Sequence, residues 1–125
     1  TWEKSSHATT FGGNPLVTAC ALTTLQVIEK EKLLQNVRRQ GSALSKKLEA
    51  LKKKFPFIRE IRGRGLMIGI ELDRPGGPIV AAAAKKGLLM NCTQERILRI
   101  YPAFTVTGAQ VDQALKILEE ALHAT

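Results

Sequence analysis

From Leu16 to Ile28 the chain carries no charged residue, and its polar members there are Thr18, Thr23, Thr24 and Gln26. Asn14 stands in front of this stretch as a candidate N-cap and Pro15 as a candidate first helical residue, so the pattern predicts a helix over residues 14–30. A helix that is apolar on most of its sides must be covered on most of its sides. In a chain of 125 residues that requirement constrains the fold more than any other feature. Another domain or another subunit is expected to pack over this helix.

The residues leading into it, His7-Ala8-Thr9-Thr10-Phe11-Gly12-Gly13, place two adjacent hydroxyls and two glycines beside a helix N-terminus. Hydroxyl donors next to exposed backbone N–H groups and a positive dipole end suit a phosphate. The same string also reads as a capped helix start with a flexible glycine hinge. Both readings stand on the residues alone.

The net charge of +8 raises nucleic acid or acidic ligands as partners. Much of that charge, Arg38, Arg39, Lys46, Lys47, Lys52, Lys53 and Lys54, falls in one amphipathic stretch with few aromatics, which favours a solvated face. With 44% apolar and 24% charged residues the chain reads as globular. Cys20 and Cys92 have no C-x-x-C spacing and no nearby histidine, so both are expected to pack as small hydrophobes and no metal site is expected. There is no signal-peptide pattern and no apolar run of membrane-spanning length, so a cytoplasmic protein is expected.

A second helix is predicted over about residues 32–54, with Leu34, Val37, Gly41, Leu44, Leu48 and Leu51 on one stripe and Phe55-Pro56 as its stop. The period then changes. Residues 57–62 read as a strand, Gly63-Arg64-Gly65 as a turn, and 66–72 as a strand with Leu66, Ile68, Ile70 and Leu72 on one face. The Arg-Gly-Arg-Gly string is too short and too closely flanked by strand signals for a disordered RNA-binding segment. Pro78 opens an alanine-rich helix that Gly87 closes, strands follow over 88–92 and 97–101, and Thr107-Gly108-Ala109-Gln110 is a capping box for a last helix. The buried side of that helix is expected at Val111, Ala114, Leu115, Leu118 and Leu122. The order α-α-β-β-α-β-β-α is that of an α+β domain with an antiparallel sheet covered by helices.

Arg99 interrupts the last strand, sharing a face with Ile97 and Tyr101. An arginine there is costly unless it meets an anion, and its fork suits a two-pronged grip on a carboxylate. Alternatively it snorkels to water from an edge strand or pairs with a glutamate.

Three strings together carry a family resemblance. They are His7-Ala8-Thr9-Thr10-Phe11-Gly12-Gly13-Asn14-Pro15-Leu16, the run Glu60 to Leu72 around Arg62-Gly63-Arg64-Gly65-Leu66, and Gly87 to Gln94 followed by Leu98-Arg99-Ile100-Tyr101-Pro102. In this order and spacing they resemble the class III pyridoxal-phosphate aminotransferases, and the likeness runs from about residue 7 to residue 122. The Asn91-Cys92-Thr93-Gln94 string is most similar to the acetylornithine branch, which serves arginine biosynthesis.

The resemblance implies the small C-terminal α+β domain of a fold-type I enzyme. It assigns residues 1–13 to a loop continuing from a large domain, 14–31 to a long apolar interdomain helix, and 32–125 to the small domain. It implies pyridoxal 5'-phosphate as cofactor of the full-length enzyme, with Thr10, and Thr9 beside it, donating to its phosphate across a homodimer interface. Arg99 matches the arginine that grips the substrate α-carboxylate. The reaction implied moves an amino group from N-acetylornithine, or a related ω-amino donor, to 2-oxoglutarate, with neither nucleic acid nor membrane as partner.

The part of the family that carries the cofactor lysine, the acidic partner of the pyridinium nitrogen and the stacking aromatic has no counterpart in this sequence, and Lys4 lies too close to the threonines to be that lysine. No catalytic residue is therefore expected within the chain, which should not transaminate alone. The alternative is a non-catalytic binding module that uses the basic helix 32–54 on an acidic partner or RNA.

Overall fold

The computed structural model of the protein describes residues 8–124; Lys4 and His7 lie outside them. The described elements run α1 (Pro15–Lys30), α2 (Leu33–Lys54), β1 (Ile58–Arg64), β2 (Met67–Leu72), α3 (Gly77–Lys85), β3 (Asn91–Thr93), β4 (Ile97–Ile100) and α4 (Gly108–His123). This is the α+β order expected from the sequence. The chain divides into two compact units, one ending at Leu33 and the other beginning at Leu34.

In the first unit the Asn14 side chain accepts from the Val17 N–H at 3.0 Å while its amide donates to the Phe11 carbonyl at 2.6 Å. Pro15 then supplies a helical φ at a position that needs no donor, so α1 starts where the sequence places it. No residue of α1 is buried. Leu16, Leu22 and Leu25 are 73%, 58% and 61% exposed. Cys20, expected to pack as a small hydrophobe, is exposed with the rest of this helix.

The second unit is built on a four-stranded antiparallel sheet in the order β1-β2-β4-β3. Leu66, Ile68, Ile70 and Leu72 all point to one face and are buried, because alternation along a strand sends every second side chain the same way. Leu98, opposite Ile70 in β4, joins them. From the helices come Leu44, Leu48 and Leu51 of α2, Ile79 and Ala83 of α3, and Val111, Leu115, Leu118, Ala121 and Leu122 of α4. One face of the sheet is thus covered by helices, and the other carries Met67 at 57% exposure together with charged residues.

The capping box of α4 forms as expected, with Thr107 and Gln110 bonding each other's backbone. Three details depart from the sequence reading. Leu34 is 53% exposed, so the buried stripe of α2 begins a turn later than its spacing indicates. Gly63 and Arg64 belong to β1, paired with Ile68 and Met67, and the turn shrinks to Gly65 and Leu66. Finally β3 is only Asn91–Thr93, and Leu88 to Met90 lie outside it.

The short turn is explained by α2. A Cβ at Gly41 would lie 2.4 Å from the Gly65 carbonyl oxygen, so helix and hairpin meet backbone to backbone. Gly65 itself has a φ of 59°, the glycine-first pattern of a II′ hairpin turn, and a Cβ there would lie 2.8 Å from Val37 Cγ1. Only glycine at both positions allows so close an approach.

Candidate functional site

Thr9 and Thr10 lie just ahead of α1, both exposed. A Cβ at Gly12 would sit 2.2 Å from Thr9 Cγ2, so the threonine methyl occupies the space that the glycine leaves. Neither hydroxyl has a hydrogen-bond partner among the described residues. The helix end offers less than its sequence suggests. Pro15 has no N–H and Val17 donates to Asn14, which leaves the Leu16 N–H as the unclaimed donor of these three. The two exposed hydroxyls, one backbone donor and the positive end of α1 form a donor set that fits a phosphate, with the hydroxyls as its main part.

Arg99 belongs to the second unit, in β4. Its strand is paired on both sides, with Gly69 of β2 and Asn91 of β3 directly opposite. Residues opposite one another share a face, so Arg62, Gly69, Arg99 and Asn91 form one row across the uncovered face of the sheet. Arg99 is exposed there, so the desolvation cost inferred from its apolar neighbours is not incurred. Its exposure leaves the guanidinium open to water, as one of the alternatives had it. The strand is interior rather than an edge, and no carboxylate engages its guanidinium among the described residues.

The contrast with Arg62 is informative. That guanidinium binds Glu60 at 2.8 Å and also Glu71, and the hydrogen bond it donates to Glu71, aided by the charges of both carboxylates, holds its pKa above the usual arginine value. Arg62 is paired with two carboxylates, whereas Arg99 has no carboxylate partner among the described residues. Gly69 stands opposite Arg99, and a Cβ there would come within 3.3 Å of Ile97 Cγ2. A free two-pronged cation on a braced strand can take a carboxylate.

Arg99 also lines a groove of 130 Å³ with Leu88, Met90, Tyr101, Pro102 and Val106, among others. The loop after β4 forms part of its wall. This groove had no signal in the sequence beyond the apolar run Leu88 to Met90, which reads as a strand. Cys92 is half-buried against the core, with its Sγ 3.9 Å from the Thr93 carbonyl oxygen.

The basic helix is partly neutralised. Lys47 pairs with Asp112 and Lys54 with Glu119 at 2.7 Å, both across to α4. These pairs take two lysines out of any continuous cationic stripe. No helix among the described residues is long and apolar enough to cross a membrane.

Comparison with known proteins adds the family. The acetylornithine aminotransferase of Methanosarcina mazei is 42% identical over 118 residues, 94% of this chain and 29% of that protein. Acetylornithine aminotransferase 1 of Bordetella bronchiseptica is 46% identical over 113 residues, again 29% of its length. The chain therefore spans under a third of the length of these two relatives. The crystal structure of acetylornithine aminotransferase from Elizabethkingia anophelis superposes with a TM-score of 0.87 at 29% identity, over 99% of this chain and 34% of that one. The ornithine aminotransferase of Toxoplasma gondii gives 0.87 at 32% identity, over 98% of this chain and 30% of that one. With the family profile described as Aminotransferase class-III matching residues 1–122, the chain belongs to the class III aminotransferases.

Proposed function

We propose that this chain is the C-terminal part of a pyridoxal-phosphate aminotransferase of acetylornithine type. In this reading Thr10, with Thr9 beside it, donates to the cofactor phosphate from the opposite subunit of a homodimer. That neither hydroxyl has a hydrogen-bond partner among the described residues supports that role. Arg99 grips the substrate α-carboxylate and so orients the molecule for transfer. Pyridoxal phosphate, when bound, supplies the electron sink and carries the amino group between donor and acceptor. N-acetylornithine, or a related ω-amino donor, and 2-oxoglutarate are the proposed substrates; the names of the two relatives support the first.

The observation that carries the reading is Arg99: exposed, unpaired among the described residues, and fixed between Gly69 and Asn91 beside an arginine that two glutamates already satisfy. The test is Arg99→Lys in the full-length enzyme. Replacing a fork by a point charge should raise KM for both the amino donor and 2-oxoglutarate. Unchanged KM values with a loss of stability alone would remove Arg99 from the site. In the same enzyme Thr10→Val should weaken cofactor retention by about 1.5–3 kcal/mol, the loss of one hydrogen bond to a charged group. Unaltered pyridoxal-phosphate affinity in an equilibrium titration would remove Thr10.

A further inference from the structure

One turn of α2 holds the end of the sheet at which Arg99 lies. The pairings Ile68 with Ile100 and Gly69 with Arg99 put the Gly65–Leu66 turn and the exit of β4 at the same end. Gly41 and Val37 press on that turn. On the same side of the helix, Asn36 Nδ2 donates to the Phe104 carbonyl at 2.7 Å and to the Val106 carbonyl at 3.0 Å. Its Oδ1 accepts from Arg39 Nη2 at 2.9 Å and from Gln40 Nε2 at 3.4 Å, and Gln40 is buried. Both donors and both acceptor directions of the amide are therefore used.

The loop between β4 and α4 needs this hold. Within residues 102–106 its own backbone makes one bond, Val106 N–H to the Ala103 carbonyl at 3.0 Å. Among the described residues, the two bonds from Asn36 are the hydrogen bonds that reach this stretch from another element. Pro102 and Val106 of the same loop line the groove that Arg99 also lines.

We propose that Asn36 is a positioning residue for the Arg99 site, fixing the wall of the carboxylate groove from 68 residues away by its grip on the Phe104 and Val106 carbonyls. The proposal rests on the reading of Arg99 as the carboxylate anchor. Asparagine is required because the two targets are acceptors. Aspartate has the same shape and no donor, so it would face two carbonyl oxygens with a charge of the wrong sign.

The experiment uses the full-length holoenzyme with Asn36→Asp, Arg99→Lys, and Leu48→Ala as a core control. Asn36→Asp should raise KM for the amino donor and 2-oxoglutarate by roughly three- to tenfold, with kcat within about twofold, since small displacements of a binding group are costly. Amide exchange over residues 103–106 should speed up in the same variant, while pyridoxal-phosphate affinity stays unchanged. Leu48→Ala should lower the melting temperature without moving either KM. Should Asn36→Asp fail to fold, a single glycine inserted between Phe104 and Thr105 breaks the same hold without touching α2 and should give the same KM rise. If Arg99→Lys raises KM while both loop-releasing variants leave it unchanged, the positioning role is overturned and the reading of Arg99 survives. If Arg99→Lys leaves KM unchanged, both are overturned together.

Discussion

The two units treat apolar surface in opposite ways. In the second unit, α2, α3, α4 and the sheet bury a continuous core from Leu44 to Leu122. In the first, α1 is just as rich in leucine and valine, yet none of its residues is buried. Apolar composition alone therefore does not say where a side chain is stabilised. The period does: α2 confines its leucines to one stripe and covers it, whereas α1 spreads them around its circumference and presents them outward. An outward apolar helix is the feature expected of a segment that packs against the rest of a longer protein or a second copy.

The same substitution placed in each unit breaks the comparison open. Leu48→Ala should cost about 2–5 kcal/mol in denaturant unfolding, because it empties a fully enclosed site. Leu22→Ala, with its side chain already 58% exposed, should stay within roughly 0.5 kcal/mol in the 125-residue chain. Equal losses would mean that α1 is covered after all. Gly41→Ala comes next and reverses the usual sign. On a solvent-facing helix this change stabilises by about 1 kcal/mol, but here the new methyl meets the Gly65 backbone and should destabilise by roughly 1–3 kcal/mol. A gain in melting temperature would show that α2 and the hairpin are not in contact.

Helix starts sharpen the comparison at smaller scale. Thr107→Ala removes the α4 capping box and should cost about 1 kcal/mol of the core unit's stability, read by chemical denaturation. Asn14→Ala removes an equally good cap from α1 and should leave that transition unmoved, being felt in local helix content instead. A shared loss would couple the two helices.

The smallest effect is electrostatic. A hydrogen bond from Lys86, reinforced by its charge, holds the Glu120 carboxyl below the usual glutamate range. A depressed carboxylate stabilises the fold above the ordinary glutamate pKa, and the contribution is lost as pH falls through the lowered folded value. The gap in unfolding midpoint between the parent chain and Glu120→Gln should thus be open at pH 7 and close in strong acid. A gap that persists there would give the pair no role in the pH dependence.

How much was legible in the sequence follows from which forces are local. The face of β2 could be read because alternation is a property of the strand itself, and the cap of α4 because all its atoms lie within four residues. Leu34 has the right spacing for the α2 stripe but meets no covering element. Leu88 to Met90 read as strand from apolar content, yet pairing with β4 begins only at Asn91. The turn before β4 also ran against composition. Gln94 and Glu95 both take positive φ without glycine, held by bonds from Gly76 N–H to the Glu95 carbonyl and from Leu72 N–H to the Arg96 carbonyl. Arg99 could be picked out as an oddity, but its interior place in the sheet depended on the strand order. The bonds of Asn36 to a loop 68 residues away had no local signature at all.

The meeting of Gly41 and Gly65 bears on where this fold tolerates insertion. Tips of hairpins ordinarily accept extra residues, or a break in the chain, with little harm. Here the tip is roofed by a helix at backbone distance, so an added residue has nowhere to go. The exposed stretch after α3 is no substitute, because Leu88 and Leu89 line the groove that Arg99 lines and Lys86 pairs with Glu120. The two-residue hairpin turn beneath α2 is therefore a point where a tag, a split or a circular permutation should not be placed.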